Sequence, residues 1–198
     1  KLTHLLPESY PYVGEWKVLP IGLDQKYLNK IETHLQYIDS ESIKTLSNKL
    51  HRGKFSHKGN FGHTLVVAGS LGKMGAAILT TKSALKSGAG LVTALVPAIG
   101  YEIMQISVPE AMANISNDSD FIENIDVDLN AYKTIALGPG LGMSVETMKA
   151  MKTLLRKVTY PVVLDADTIN MISADRSILE EIPKNSIFTP HIKEFDRL

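Results

Sequence analysis

From Gly53 onward the chain repeats one pattern: a short apolar run stops at a glycine or proline, and a helix-period stretch follows. Such alternation marks successive βαβ units, which bury a mostly parallel sheet between helices. Residues 64–68 form a continuous apolar run halted by Gly69, as a strand buried on both faces requires. Ala77, Ile78, Thr81, Ala84 and Leu85 then recur at helical spacing, and Gly88 closes that helix. Leu91–Val96 predicts a second strand ended by Pro97, and Ile103, Ile106 and Val108 a short element after it. Thr134–Leu137 predicts a third strand. Ser144 is suited to cap the next helix, with Glu146 in its first turn and Val145, Met148, Met151 and Leu155 on its apolar face. Further strands are expected over 161–164 and 186–188, with a short helix over 168–172 between them. The acidic, polar stretch 114–130 reads as a loop.

Residues 1–50 lack this alternation. Pro7, Pro11, Gly14 and Pro20 break short apolar stretches, and a polar stretch over 25–50 has helical character. The expected organisation is therefore a lead-in over 1–50 and an α/β domain over 51–198. Lys+Arg and Asp+Glu both number 21, so the basic excess of a nucleic-acid binder is missing. The absence of cysteine removes disulfides and thiolate zinc sites and fits a cytoplasmic, reducing compartment. No apolar run approaches the length of a membrane span.

In an open α/β sheet, ligands bind beyond the carboxyl ends of the strands. Polar or glycine-rich segments fall there repeatedly: Gly69, Ser70, Gly72, Lys73 and Gly75 after the first strand; Gly138, Pro139, Gly140 and Gly142 after the third; Asp165 and Asp167 after the fourth; Thr189, His191 and Glu194 after the fifth. Gly69, Gly72 and Gly75 are expected to reach φ > 0 and admit a ligand to the backbone, with a tight strand-to-helix turn that holds no ligand as the alternative. The helix starting near Gly75 offers free N–H groups to a phosphate. The loop is no P-loop, lacking the Gly-Lys-Ser/Thr ending, and its three-residue glycine spacing departs from the dinucleotide fingerprint. Asp165 and Asp167 suit Mg²⁺ held through water, with helix capping as the alternative for Asp167. His191 suits hydrogen bonding to a substrate or phosphate. His57 and Lys58 are expected to be a structural lead-in, with contact to a phosphate as the alternative.

Taken together, these segments resemble the ADP/ATP-dependent NAD(P)H-hydrate dehydratase family, a branch of the ribokinase-like fold. The resemblance rests on His57-Lys58-Gly59 with Gly62, Ala68-Gly69-Ser70 with Gly75-Ala76-Ala77, Ser87 through Thr93, Gly138-Pro139-Gly140-Leu141-Gly142, Leu164-Asp165-Ala166-Asp167 with Asn170, and Thr189-Pro190-His191 with Glu194-Phe195 and Arg197-Leu198. It implies an enzyme that uses ADP or ATP to phosphorylate the hydroxyl of NADHX or NADPHX, after which phosphate leaves and NADH or NADPH is restored. Mg²⁺ is the implied metal. The implied hydrate-site residues are Ala76, Gly140 and the run His191, Ile192, Lys193, Glu194, Phe195, Asp196 and Arg197. Gly69, Ser70, Gly72, Gly75, Gly138 and Gly142 form the implied phosphate or nucleotide loops.

Two departures accompany the resemblance. The family reads His-Pro-Gly-Glu where this chain has His191-Ile192-Lys193-Glu194, so Lys193 adds a side chain where none is usual. The family's Lys-Gly-x-x-Thr segment and Gly-x-Gly-Asp loop, which carries the general base, occur nowhere in the chain. The expectation is a ribokinase-like domain incomplete at its C-terminus and inactive alone. Residues 14–24 resemble the end of an epimerase domain that precedes the dehydratase in bifunctional members. Relatives that assemble imply a homo-oligomer. Two other readings stay open: another ribokinase-like kinase acting on a small alcohol, and a nucleotide-binding module without catalysis.

Overall fold

A computed structural model describes residues 2–35, 37–49, 51–116 and 120–198. Leu50, which ends the stretch expected to be helical, and residues 117–119 of the expected loop lie outside the described residues. The chain forms two compact units, Lys1–Lys49 and Leu50–Leu198.

Among the described residues the first unit holds the α-helices α1 (Tyr10–Val13), α2 (Gln25–Leu28) and α3 (Ser40–Lys49). The expected helix over 25–50 is thus two helices with an irregular stretch between. Asp24 caps α2 by accepting from Lys26 N, and the Asp39 carboxylate accepts from Ser42 N and Oγ at the start of α3. Such local side-chain caps start a new helix rather than continue an old one. Trp16 and Tyr37 meet edge to face at 5.7 Å.

The second unit contains a parallel sheet. Its strands are β1 (His63–Val67), β2 (Leu91–Val96), β3 (Met112–Ile115), β4 (Thr134–Leu137), β5 (Val163–Leu164) and β6 (Ile187–Phe188), in the order β3-β2-β1-β4-β5-β6, and every pair is parallel. The helices are α4 (Met74–Lys86), α5 (Tyr101–Ser107), α6 (Val145–Lys157), α7 (Asp167–Ala174) and α8 (Ile192–Phe195). Consecutive residues of β1 serve opposite layers. Leu65 and Val67 join the core with Ile135, Leu137, Met151, Leu155, Leu164 and Met171, while Val66 and Ala68 join Met74, Ala77, Val92, Val96 and Met104. Burial on both faces explains why the strands read as unbroken apolar runs.

Two expectations need correction. The stretch 114–130 is not all loop, because its start lies in β3, which pairs with β2 from Thr93↔Met112 to Val96↔Ile115. An edge strand half open to solvent tolerates Asn114 and so lacks the apolar run of its neighbours. Val145 does not face the core: it is 60% exposed, and the buried face of α6 is Thr147, Ala150, Met151, Leu154 and Leu155.

Beyond α7, the Asp175 carboxylate accepts from Lys152 Nζ at 2.7 Å and from Ser177 N and Oγ at 3.1 and 2.7 Å. Lys152 first, then Ser177, hold its pKa down at about 2, from an ordinary 3.8. A carboxyl with a lowered folded-state pKa stabilises the fold above the unfolded value, and that contribution is lost as pH falls from about 4 to about 2. Lys152→Met is expected to return the Asp175 titration toward 3.8 in a carboxyl-carbon NMR experiment, and an unmoved titration would show that Lys152 is not the cause.

Candidate functional site

All six strands run the same way, so the segments after β1, β4, β5 and β6 share one rim of the sheet. The strand order reverses direction between β1 and β4, which places the two glycine-rich loops on either side of the crevice where open α/β sheets take their ligands.

These two loops are stitched together. Gly69 N–H donates to Pro139 O at 2.9 Å, and Ser70 Oγ donates to Gly140 O at 2.7 Å. Gly69, Gly72, Gly138, Gly140 and Gly142 all have positive φ. The need for glycine is sharpest at Gly138 (φ +133), where a Cβ would overlap the carbonyl oxygen of Asp165. At Gly140 (φ +67) a Cβ would come 2.8 Å from Lys73 O and 3.0 Å from the Ala76 Cβ, so Ala76 and Gly140 are direct neighbours. Gly75 departs from expectation: it has no positive φ and lies in the first turn of α4, with nothing within 4 Å of a would-be Cβ. It contributes open space beside the N–H groups of a 13-residue helix.

Asp167 closes the crevice from the third loop. Its Oδ2 accepts from Gly142 N at 2.8 Å and from Lys73 Nζ at 3.2 Å, so one carboxylate joins the turns that follow β1, β4 and β5. Asp167 makes no cap to its own helix; the N-cap position of α7 is Ala166, whose backbone (φ 46, ψ −115) is one that side-chain-bearing residues rarely adopt. Strain of this kind persists only where surrounding contacts over-determine it. The contacts are at hand, since Thr168 N donates to Asp165 O, and Asp165 Oδ1 accepts from Thr189 Oγ1 at 2.7 Å.

The segment after β6 forms a second cluster on the same rim. His191 caps α8: its Nδ1 accepts from Glu194 N at 3.3 Å, while Glu194 Oε2 accepts from His191 N at 3.0 Å. A ring whose Nδ1 is an acceptor carries its proton on Nε2, and Nε2 lies 3.2 Å from Glu194 Oε1. Glu194 is buried within this turn. Arg197 donates to Asn170 Oδ1 on α7 at 2.8 Å, so α7 turns Asp167 toward the glycine loops and Asn170 toward α8. Ile192 and Phe195 remain exposed. His191→Ala is expected to remove a reciprocal cap and destabilise α8 by about 1 kcal/mol; hydrogen exchange over 192–198 checks this, and unchanged protection would contradict it.

Asp120, Phe121 and Met143 also border the rim and are not evident from the glycine pattern. A cavity of about 340 Å³ opens at the mouth of the β1 and β4 loops, lined among others by Leu71, Asp120, Phe121, Leu141 and Met143. Leu71 N donates to Asp120 O at 2.7 Å, which fastens the β1 loop to the stretch after β3. The signal for Asp120 and Phe121 is the apolar pair Phe121-Ile122 within an acidic run, and Ile122 is fully buried. His57 and Lys58, by contrast, lie at the amino end of β1. His57 caps the turn Lys58–Phe61, and Gly90 packs on Lys58 O, so both serve as a structural lead-in.

Residues 64–198 match the family model for NAD(P)H-hydrate dehydratase. The whole chain aligns at 32% identity with 41% of the bifunctional NAD(P)H-hydrate repair enzyme Nnr of Dictyoglomus turgidum. It aligns at 34% identity with 38% of the same-named enzyme of Moorella thermoacetica. The ADP-dependent (S)-NAD(P)H-hydrate dehydratase of Lactococcus lactis is 35% identical over 74% of this chain and 52% of its own length. The chain therefore spans about two fifths of the bifunctional relatives and half of that single-function one. Among solved structures, a ribokinase-like protein of Enterococcus faecalis superposes with a TM-score of 0.61 at 25% identity, over 75% of this chain and 51% of its own. The ADP/ATP-dependent NAD(P)H-hydrate dehydratase of Bacillus subtilis, co-crystallised with ATP/Mg²⁺, gives 0.58 at 29% identity, over 74% of this chain and 50% of its own. The sheet is thus that of a ribokinase-like α/β fold.

Proposed function

This chain belongs to the NAD(P)H-hydrate dehydratase family, and from that premise we propose that it forms part of an enzyme returning NADHX or NADPHX to NADH or NADPH at the expense of ADP or ATP. The observation that carries this reading is the pair of glycine loops from adjacent strands, tied across the switch point by Gly69–Pro139, Ser70–Gly140 and the Asp167 bridge.

The chemistry proceeds in two stages. The hydroxyl oxygen of the hydrate attacks the terminal phosphorus of the nucleotide; the bond to the leaving phosphate oxygen breaks, and the hydroxyl proton is lost to base. Phosphate then departs with its C–O bonding pair while a proton leaves the adjacent carbon, and the ring double bond returns. Transfer of this kind depends on positioning and charge neutralisation more than on covalent help from the protein. Backbone N–H groups at the start of α4, exposed beside Gly75, meet phosphate oxygens. Ala76 and Gly140 form a close-packed floor for the hydrate, and the His191–Arg197 segment lines its far side, with Arg197 held by Asn170. Lys193 adds an ammonium to that wall.

Asp165 and Asp167 fit Mg²⁺ only through water. One oxygen of each is committed to Thr189 or to Gly142 and Lys73, and among the described residues no cluster of three or more potential ligands exists. A hydrated Mg²⁺ carried by nucleotide phosphates suits such a pair, and when bound it would supply charge neutralisation. The N-terminal unit, aligned with the bifunctional relatives along its full length, is proposed as the end of their preceding domain. Among the described residues no helix is long and apolar enough to cross a membrane.

The test is recovery of 340 nm absorbance when the full-length enzyme is given NADHX or NADPHX with ADP or ATP. Recovery that needs both hydrate and nucleotide supports the proposal; phosphorylation of a vitamin-type alcohol without hydrate turnover supports a different kinase.

A further inference from the structure

A second cavity of the Leu50–Leu198 unit, about 530 Å³, lies at the pole opposite the glycine loops. Its walls come from the amino ends of β4 and β5: Lys133 immediately precedes β4, and Lys157, Thr159 and Tyr160 join α6 to β5. A volume of this size is ample for a small molecule.

The lining chemistry is one-sided. Lys133 and Lys157 both border the cavity, and among the described residues neither ammonium has a carboxylate partner. Their neighbours on α6 are matched, Lys152 with Asp175 and Arg156 with Glu181. The nearby Asp128 carboxylate is occupied by Asn130 N and Nδ2. Two tyrosines supply ring surface. Tyr132 is buried and packs on the His63 ring at 4.6 Å, while Tyr160 donates its hydroxyl to Leu129 O at 3.1 Å. Burial first, then the neighbouring Tyr132, pushes the Tyr160 phenol above its ordinary pKa, so it adds no negative charge to the wall.

We propose that this pocket binds a small aromatic molecule carrying a phosphate, with its ring against Tyr132 and Tyr160 and its phosphate between Lys133 and Lys157. A phosphate monoester is the anion of choice because its charge near −2 matches two ammoniums, whereas a carboxylate would leave one unmatched. The site shares no residue with the glycine-loop rim and stands independently of the function proposed above.

The probe is phenyl phosphate, titrated into the ¹⁵N-labelled chain, with phenol and inorganic phosphate as comparison ligands. Saturable shifts are expected at the amides of Lys133, Lys157 and Thr159, with phenyl phosphate binding at least about ten-fold tighter than either comparison ligand, since phenol lacks the charge and inorganic phosphate lacks the ring. Lys133→Glu/Lys157→Glu is expected to weaken it at least ten-fold further while amide dispersion stays native, since both side chains are exposed. Should that double variant fail to fold, Lys133→Gln and Lys157→Gln singly are each expected to weaken binding several-fold. Shifts confined to the loops 69–76 and 138–144, affinity unchanged in the lysine variants, or inorganic phosphate binding as well as phenyl phosphate would each overturn the proposal.

Discussion

Gly138→Ala is expected to cost about 3–5 kcal/mol of folding stability. Its φ of +133 is strained for any residue with a Cβ, and the added methyl would overlap the Asp165 carbonyl oxygen. That oxygen cannot step aside, because it accepts from Thr168 N at the start of α7, and Asp165 N donates to Leu137 O at the end of β4. Backbone strain of about 1–3 kcal/mol adds to an overpacking term of similar size against a rigid neighbour. Gly75→Ala is the contrasting control. It sits in a helix with open space where its Cβ would go, and a gain of about 0.5–1 kcal/mol is expected. Urea midpoints measure both; a Gly138→Ala loss below about 1 kcal/mol would show that the β4 and β5 turns are not locked as described.

Asp167→Ala is expected to lower kcat/KM for hydrate dehydration by on the order of 100-fold, about 2.7 kcal/mol of transition-state stabilisation. The carboxylate is the common acceptor of Gly142 N–H and Lys73 Nζ, and its removal unties the β5 turn from both glycine loops, which stay joined to each other by Gly69–Pro139 and Ser70–Gly140. Hydrogen bonds to a charged group are each worth about 1.5–3 kcal/mol where water is restricted, and the Asp167 side chain is only 16% exposed. Asp167→Asn keeps an acceptor for Gly142 but not the charge facing Lys73, so it should fall between Ala and wild type. A direct inner-sphere metal role predicts something else: Asn as damaging as Ala, with activity recovering at raised Mg²⁺. Steady-state assays across a Mg²⁺ series separate the two.

How much of this was legible without coordinates follows from what each residue must satisfy. Buried parallel strands such as 64–68 announce themselves because both faces need apolar side chains, and Gly138 and Gly140 because a strand end meeting another loop leaves no room for Cβ atoms. The edge strand β3 stayed hidden because one open side accepts Asn114. Gly75 was misassigned to positive φ because glycine can also mark simple open space, and sequence spacing does not separate the two. The roles of Asp167 and His191 were out of reach for another reason. Which donor meets a carboxylate depends on where Gly142 and Lys73 arrive, 25 and 94 residues away. For His191 the partner is local, Glu194, and its His-x-x-Glu spacing is a capping box in which histidine stands where serine or threonine is usual. The rim at Asp120 and Phe121 lay inside a stretch whose acidity masked one buried apolar residue, Ile122.

We propose that turns from β1, β4 and β6 build one ligand site on one rim. Backbone amide exchange of the full-length enzyme, with and without NADHX, reads this directly. The account predicts slowed exchange within 69–76, 138–144 and 191–197 together, with the amino-end segments 57–62 and 130–133 unchanged. Protection at only one of the three, or at the amino ends instead, would contradict it.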